Sequence, residues 1–323
     1  MPQHPAPTRI EADSPVSICI PTYKRPGYLD QALKSCLAQT YSNIEIVIGD
    51  DSPDDETRIL VEGYIALHPH VICYQQNKPS LGQNANVNDL FRRASWDRLI
   101  LLHDDDLLEP TAVEDLAACW QHQPPLDGAF GKQYYLHDDG TPADPKSSEE
   151  LNTAYRRTAE NAGLQEFPLA AGIARMFPND GFMIRTSLAQ AIGYRSKKDV
   201  GDACDTDFGI RFCAAAQSLW YLDKFTCGYR MSSESVSRTA IVAPYTYRML
   251  RALYVPAELE SLRAEAEVNL APSAVSGLAR LGHTREALRL FLSNRYPLRQ
   301  RLSQRGIYHM LLMLRSVTRP ATG

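Results

Sequence analysis

Three consecutive carboxylates, Asp104, Asp105 and Asp106, come just after a short apolar run at residues 99–102. A run of this length is typical of a buried strand. Carboxylates this close raise one another's pKa, so three of them at a strand end are costly without a nearby cation. Mg²⁺ removes this cost with oxygen ligands, often one or two carboxylates together with substrate phosphates. The segment therefore predicts a site for a hard divalent cation.

A solvated turn is the alternative interpretation of this segment, with Asp106 capping a helix that opens at Pro110. A second acidic pair, Asp50 and Asp51, also follows an apolar run. The carboxyl ends of parallel strands meet at one edge of a sheet, and ligands bind there. Two acidic clusters at that edge favour a binding site. For the second pair, the alternative is N-terminal capping of a helix that starts at Ser52.

The elements that position these acids are four short apolar runs separated by helical patterns. The runs are residues 16–20, 44–48, 71–74 and 99–102. This alternation predicts an α/β fold with a Rossmann-like, mostly parallel central sheet flanked by helices. Residues 136–150 predict a long loop, and a helix is expected near Asp205. From Tyr245 onward, Ala, Leu, Arg and Glu dominate and predict a C-terminal helical appendage.

Composition excludes several classes of protein. No apolar run approaches the ~18–20 residues that span a bilayer, and the polar N-terminus lacks the apolar core of a signal peptide. The seven cysteines are scattered and never paired as Cys-x-x-Cys, which argues against a cysteine zinc site or disulfides and for a cytoplasmic protein. The net charge of -4 combines a basic C-terminal part with a larger acidic part, so nucleic acid is not an expected partner.

The order of these motifs resembles that of family-two inverting glycosyltransferases of the GT-A fold, the spore-coat-polysaccharide-synthesis-protein type. The resemblance covers residues 15–238, and residues 103–106 occupy the place of the family's DXD motif. The other matching segments are residues 16–25, 39–46, 50–52, 181–185, 205–208 and 229–230. The resemblance implies transfer of a sugar from a nucleotide sugar, a UDP-sugar, to a hydroxyl of a glycan, lipid-linked or small-molecule acceptor. It also implies Mn²⁺ or Mg²⁺ on the diphosphate.

The resemblance implies that the first two strand ends hold the nucleoside. The residues expected to line the base and ribose are Pro21, Thr22, Tyr23 and Arg25. Asp51, together with Asp50, is expected to accept a hydrogen bond from a pyrimidine ring N–H. These roles are read from matching positions, and they place the nucleoside beside the acidic edge.

The other two strand ends are expected to hold the rest of the nucleotide sugar. Gly82 and Asn86 would lie along the nucleotide. Asp104 would contact the ribose and Asp105 would hold the metal. Asp106 would assist Asp105 as a metal ligand or cap the next helix.

The general base implied by the resemblance is Asp205, which would take the proton from the acceptor hydroxyl as its oxygen attacks the anomeric carbon. The alternative is that Asp205 is the N-cap of a helix over residues 205–217. Asp207 or Asp202 could hold the catalytic role instead.

Four positions depart from the family pattern and indicate weak or altered metal binding. They are His103, Ala85, Cys204 and Ser232. A nucleotide-sugar-binding or scaffold protein with a decayed site is therefore the alternative function. A nucleotidyltransferase ranks last, because the loop at residues 21–26 lacks the glycines of a phosphate-binding loop.

The expected domains are a disordered tail at 1–14, a catalytic domain at 15–240 and a helical region at 241–323. The catalytic domain divides into a nucleotide-sugar half at 15–130 and an acceptor half at 131–240. Within the helical region, arginines accompany an apolar stripe made of Ile307, Met310, Leu311, Leu314 and Val317. Such a helix favours peripheral contact with the inner membrane face, or packing on the catalytic domain or in a homo-oligomer.

Overall fold

The computed structural model describes residues 13–122, 125–231 and 241–318. Nearly all of the tail predicted at 1–14 lies outside these residues, as does Ser232. The strands in the described part are β1 (Val16–Thr22), β2 (Ile44–Asp50), β3 (Ile72–Gln76), β4 (Arg98–Leu101), β5 (Leu107–Leu108), β6 (Gly128–Leu136), β7 (Gly163–Gln165), β8 (Met183–Arg185) and β9 (Leu219–Arg230).

Helices lie between the strands and dominate the C-terminal region. They are α1 (Pro26–Leu37), α2 (Glu56–Leu67), α3 (Gln83–Arg93), α4 (Ala112–Ala118), α5 (Pro145–Ala154), α6 (Pro168–Ile173), α7 (Thr186–Ile192), α8 (Lys197–Val200), α9 (Cys204–Ala215), α10 (Ala243–Ala252), α11 (Glu260–Arg280), α12 (Thr284–Leu292), α13 (Leu298–Arg301) and α14 (Gln304–Thr318). The predicted α/β fold and the predicted C-terminal helices are confirmed.

The strands form one mixed sheet in the order β3-β2-β1-β4-β8-β6-β9-β5, with β7 paired to β9. The parallel arrangement predicted for the first four strands is confirmed, because β1 pairs in parallel with β2 and β4, and β2 pairs in parallel with β3. Beyond β4 the sheet is mixed, since β8 runs antiparallel to both β4 and β6. The antiparallel strands β5, β7 and β8 are only two or three residues long, too short for a periodicity signal.

The core of the sheet forms where the apolar runs predicted it. The inward face of α1 consists of four buried side chains at helical spacing, Leu29, Ala32, Leu33 and Cys36. They join the buried side chains of β1, β2 and β4 in one apolar cluster. This packing fixes α1, and with it the loop that connects β1 to α1 at the sheet edge.

Several predicted element ends are wrong. The second helix begins at Glu56 rather than at Ser52, because the Ser52 hydroxyl accepts a hydrogen bond from Lys24 N at 2.8 Å. The fourth helix begins at Ala112 rather than at Pro110. The loop predicted over 136–150 ends early, because α5 starts at Pro145, with the side chain of Asp144 as its N-cap.

The described residues divide into two compact units. The first unit includes residues 1–195 and 208–238, and the second includes 196–207 and 239–323. The predicted boundary at 240/241 differs from this division, which assigns residues 196–207 to the unit of the C-terminal helices. In that second unit, α11, α12 and α14 contribute to one apolar core, where Tyr296 Oη lies 2.9 Å from His309 Nδ1.

The C-terminal helix α14 buries a different face from the apolar stripe in its sequence. Its buried positions are Gly306, His309 and Met313. Four members of the stripe are instead 43–65% exposed, namely Ile307, Met310, Leu311 and Leu314. The side chain of Val317 is not among those described. In the described residues, no helix combines the length and hydrophobicity needed to cross a bilayer.

Candidate functional site

The strand register brings the predicted edge residues together. Thr22 of β1 pairs with Asp50 of β2, and the Asp51 amide donates to the Thr22 carbonyl at 2.9 Å. On the other side of β1, the hydroxyl of Thr22 donates to Asp104 Oδ2 at 2.7 Å. The ends of three parallel strands therefore meet at β1, with acidic side chains on both sides of it.

Arg25 joins two of the three carboxylates in the acidic turn. Its Nη1 lies 3.5 Å from Asp104 Oδ1 and 3.0 Å from Asp105 Oδ2. Burial raises the pKa of Asp104 to about 6, and the charge of Asp105 adds to this effect while Arg25 opposes it. Asp104 is buried, whereas Asp105 is partly exposed. The turn is therefore not a solvated one, and Asp105 is the acid within reach of an incoming cation.

Asp106 is directed away from the other two acids. Its Oδ1 accepts the Arg230 amide at 2.7 Å, and its Oδ2 lies 3.8 Å from His103 Nδ1. The interpretation of Asp106 as a helix cap is wrong, because the next helix begins at Ala112 after Thr111. Asp105 and Asp106, the two predicted metal ligands, therefore contact different side chains and are not directed toward one common position.

Arg230 is buried and holds the acidic turn in place. Its Nε donates to the Asp105 carbonyl at 2.5 Å, and its Nη1 donates to the Asp138 carbonyl at 2.7 Å. Its Nη2 donates to Gln31 Oε1 at 2.9 Å. The sequence analysis gave residues 229–230 only as a segment that matches the family and missed the role of Arg230 in positioning the turn. The side chain lies 125 residues from Asp105 along the chain, so no local pattern reveals the contact.

Asp51 organises the loop that follows β3. Its Oδ1 accepts Asn77 Nδ2 at 2.8 Å and the Leu81 amide at 3.2 Å. Its Oδ2 accepts the Gly82 amide at 2.7 Å and the Ser80 hydroxyl at 3.1 Å. Each carboxylate oxygen therefore already accepts two hydrogen bonds from this loop. These four bonds use all the acceptor sites that a carboxylate usually offers.

Asp50 is buried in its own hydrogen-bond pair. Its Oδ1 accepts the Ser52 amide at 2.8 Å and its Oδ2 accepts the Tyr74 hydroxyl at 2.7 Å. Neither Asp50 nor Asp51 caps a helix at Ser52, because α2 begins four residues later. The capping alternative for the pair is therefore wrong.

The remaining predicted nucleotide residues line the same loops. Asn86 Nδ2 donates to the Gly49 carbonyl at 2.7 Å, and a Cβ at Gly49 would collide with the Asn86 carboxamide. Gly82 has φ of +81°, a conformation that favours glycine, and directs its amide toward Asp51. Pro21 pairs with Gly49 across β1 and β2, and Tyr23 is exposed beyond it.

Asp205 lies in the first turn of α9, in the second compact unit. The helix begins at Cys204, so Asp205 is inside the helix rather than at its N-cap. Of the two alternative bases, Asp207 is buried in the same turn, and Asp202 Oδ2 accepts the Ile241 amide at 3.0 Å. An acid in this position is also favoured by the helix dipole, whether or not it has a catalytic role.

Comparison with known proteins identifies the family. The sequence profile of glycosyl transferase family 2 matches residues 17–183, just over half of the chain. An uncharacterized glycosyltransferase of Nostoc is 29% identical over 183 residues, which make up 51% of this chain and 54% of the relative. The chain spans about half the length of this relative and a smaller share of others. The chain belongs to glycosyl transferase family 2.

Solved structures show the same fold. Staphylococcus aureus TarS 1-349 in complex with UDP-GlcNAc aligns with a TM-score of 0.58 at 19% identity, covering 94% of this chain and 81% of that chain. The mannosyltransferase PcManGT of Pyrobaculum calidifontis, in complex with GDP-Man and Mn²⁺, aligns with a TM-score of 0.56 at 14% identity. That alignment covers 98% of this chain and 90% of the mannosyltransferase. The fold is therefore GT-A, as predicted.

Proposed function

We propose that this chain is an inverting glycosyltransferase that moves a sugar from a UDP-sugar to a hydroxyl of a glycan, lipid-linked or small-molecule acceptor. The observation that carries the proposal is the acidic turn, held by Thr22 and Arg25 at the ends of parallel strands in a family-2 domain. The nucleotide sugars in the two related structures, UDP-GlcNAc and GDP-Man, support a nucleotide sugar as the substrate.

The nucleoside is proposed to lie along β1 and the loop after β3. Thr22 and Arg25 hold Asp104 where it meets the ribose, while Pro21 and exposed Tyr23 border the base. Asp51 contributes differently, because the loop already fills both of its oxygens. We propose that it acts through that loop, by fixing Gly82 and the amides that approach the nucleotide. Asn86 and Asp50 hold the strand ends beneath it.

The divalent cation is proposed to bind at Asp105. The residues present fit such an ion, because this carboxylate is partly exposed; its ion-pair partner among the described residues, Arg25 Nη1 at 3.0 Å, would share the carboxylate with the ion. When bound, Mn²⁺ or Mg²⁺ supplies a Lewis acid that neutralises charge on the leaving diphosphate. The Mn²⁺ in the mannosyltransferase complex supports a cation of this kind. Asp106 faces His103 instead, so Asp105 is proposed as the acidic ligand.

Asp205 is proposed as the general base. A single displacement with inversion needs a carboxylate that takes the acceptor proton while the hydroxyl oxygen attacks the anomeric carbon. Asp205 is of the right chemical type and occupies the family's position in the first turn of α9. Asp207 is buried whereas Asp205 is partly exposed, which favours Asp205 over Asp207; both Asp205 and Asp202 also have contacts of their own, from the Cys204 thiol at 3.8 Å and the Ile241 amide at 3.0 Å.

The first experiment combines calorimetry with an activity screen. The intact chain is expected to bind UDP more tightly with Mn²⁺ than with a chelator, and to release UDP from one member of a panel of UDP-sugars. Asp105→Asn is expected to reduce the metal-dependent gain in affinity by about 10-fold or more, because a ligand of the ion is lost. The melting temperature should not change, since Asp105 is partly exposed.

Glu62→Gln is the matched control, because it removes an exposed carboxylate on α2. Equal affinity for UDP in chelator and in Mn²⁺ would refute the role of the metal. Tight binding of nucleotide sugars with no turnover of any of them would favour a binding or scaffold protein.

The C-terminal helix is proposed to bind an anionic membrane surface. Exposed Arg315 follows the last described member of the stripe on α14, and exposed Arg299 lies on the preceding helix α13. Residues 295–318 contain no acid, so this face complements anionic lipid headgroups. The apolar side chains supply the area that enters the interface. Lipid-linked acceptors would be found at such a surface.

Sedimentation with vesicles tests this proposal. The chain is expected to bind vesicles that contain phosphatidylglycerol and to be released by salt, but not to bind vesicles of phosphatidylcholine alone. Leu311→Glu should abolish binding while keeping the fold, because the side chain is exposed. Leu67→Glu, at an exposed position on α2, is the control. A dimer in light scattering that Leu311→Glu dissociates, with no vesicle binding, would instead identify an interface between copies.

A further inference from the structure

A cluster of three metal-ligating side chains lies on the other side of the acidic turn from Arg25. His103 Nδ1 is 3.8 Å from Asp106 Oδ2 and 3.9 Å from Asp180 Oδ2. The three ligand atoms all lie within 4.8 Å of one another. Asp106 and Asp180 are 1% and 0% exposed, and the His103 side chain is 18% exposed. Asp180 comes shortly before β8 and was not singled out from the sequence.

The two buried carboxylates lack a cation that matches their charge. Among the described residues, no Lys or Arg nitrogen lies within 4.0 Å of either carboxylate, and His103 is the basic side chain that approaches both, although the charge of buried Arg157 also acts on Asp180. Asp180 accepts Gln133 Nε2 at 3.0 Å and the His103 amide at 3.1 Å.

One atom of the cluster receives no hydrogen bond from an N–H group or a hydroxyl of the described residues. Asp106 Oδ2 is buried and accepts no hydrogen bond from any described residue, although it is directed toward His103 and Asp180. A buried acceptor without a donor destabilises the fold, so native structures rarely leave one without a ligand or water. This atom marks the position that a bound species would contact.

We propose that His103, Asp106 and Asp180 form a buried cation site, separate from the one on the nucleotide diphosphate, and that it selects Zn²⁺ over Mg²⁺. Two carboxylates and a neutral imidazole balance the charge of a divalent ion. Imidazole suits Zn²⁺, whereas Mg²⁺ prefers oxygen ligands and keeps its waters. Metal–ligand bonds of about 2.1 Å place tetrahedral ligand atoms roughly 3.4 Å apart, so small side-chain rotations would close the observed spacing.

The site gives a physical reason for the direction of Asp106. An ion held there would link the turn after β4 to the segment before β8. Asp105 would then be the one acid of the turn that is available to the cation of the nucleotide. It would also give a role to the His103 imidazole, which stands at one of the positions that depart from the family pattern. The thiol of Cys227 lies 4.0 Å from Asp180 Oδ2, so it forms part of the wall of the site.

Metal analysis of the intact chain tests the site without nucleotide. Purified protein dialysed against metal-free buffer is expected to retain about one Zn²⁺ per chain. After chelation, its melting temperature should rise on adding Zn²⁺ and not on adding the same concentration of Mg²⁺. Asp180→Asn should weaken Zn²⁺ binding by at least about 10-fold, because it removes a charged ligand and keeps the shape of the side chain. His103→Gln should do the same.

Asp105→Asn is the matched control, because its carboxylate binds Arg25 and not this cluster. It should retain Zn²⁺ fully, which separates this site from the one proposed for the nucleotide. The competing explanation is that the two aspartates share a proton. In that case the parent chain would contain no zinc, show no response to Zn²⁺, and be unchanged or stabilised by Asp180→Asn. That result would overturn the proposal, as would equal loss of Zn²⁺ in Asp105→Asn.

Discussion

Asp205→Asn is expected to lower turnover by about 10²–10⁴-fold, the usual contribution of general base catalysis. Asparagine has the same shape as aspartate but cannot take the acceptor proton. A base acts on the reacting hydroxyl in the transition state, so affinity for the nucleotide should not change. Steady-state kinetics with a UDP-sugar substrate measures the first quantity, and calorimetry with UDP measures the second.

A purely structural role for Asp205 predicts a different result. The residue lies in the first turn of α9, where a negative charge typically stabilises a helix by about 0.3–1 kcal/mol. Asp205→Asn would then shift the melting temperature slightly and keep turnover within a few-fold of the parent. Asp207→Asn and Asp202→Asn are the controls, because either acid could hold the role. A collapse of turnover in one of these variants alone would move the base to that residue.

The apolar runs predicted the parallel half of the sheet because parallel strands are buried on both faces and therefore consist of consecutive apolar residues. The same signal could not show where β1 and β2 end. Both strands continue beyond their apolar residues, to Thr22 and Asp50, because the ladder between them continues to that pair. Hydrogen bonding of the backbone extends a strand regardless of side-chain polarity, so the predicted site loops were partly strand.

The site could be predicted only to the level of which acids share the edge. Asp105 and Asp106 are neighbours in sequence, yet one faces Arg25 and the other faces His103 and Asp180. The direction of each depends on partners that are distant in the chain, and a single sequence carries no record of such contacts.

The C-terminal helix shows the same limit for amphipathic patterns. The apolar stripe correctly predicted a helix, but not which face is buried. The face that packs carries Gly306 and His309, because Arg301 lies close behind Gly306 and the Tyr296 hydroxyl bonds the imidazole. Gly306 is small and His309 is polar, so a hydrophobicity pattern does not indicate that either residue is buried.

Asp51→Asn is expected to destabilise the fold by about 2–3 kcal/mol and to weaken UDP binding by at least about 10-fold. Each oxygen of Asp51 accepts two hydrogen bonds, and an amide nitrogen accepts none. The variant would therefore place its NH₂ group against at least one donor that cannot become an acceptor: the Leu81 amide in one orientation or the Gly82 amide in the other, since only the Ser80 hydroxyl can rotate to accept. Residues 80–82 are exposed and would regain water, but Asn77 is buried and would not. The loop along the nucleotide would lose its anchor.

Asp50→Asn is the matched control, because it is equally buried but differently bonded. One oxygen accepts the Ser52 amide and the other accepts the Tyr74 hydroxyl. A hydroxyl can rotate to accept from the new amide, so this variant should lose less than about 1 kcal/mol and keep its affinity for UDP. The same change at adjacent positions then compares Asp50, where one of two donors is a rotatable hydroxyl, with Asp51, where only one of four is.

Urea unfolding measures the stability of the two variants, and hydrogen exchange measures the protection of the Leu81 and Gly82 amides. If Asp51 acts through the loop, Asp51→Asn should lose stability, amide protection and UDP affinity together. Direct recognition of the base predicts another pattern, in which UDP affinity falls while stability and protection stay at the parent values. That pattern would assign Asp51 to the pyrimidine ring and require one of its four present donors to leave when the nucleotide binds.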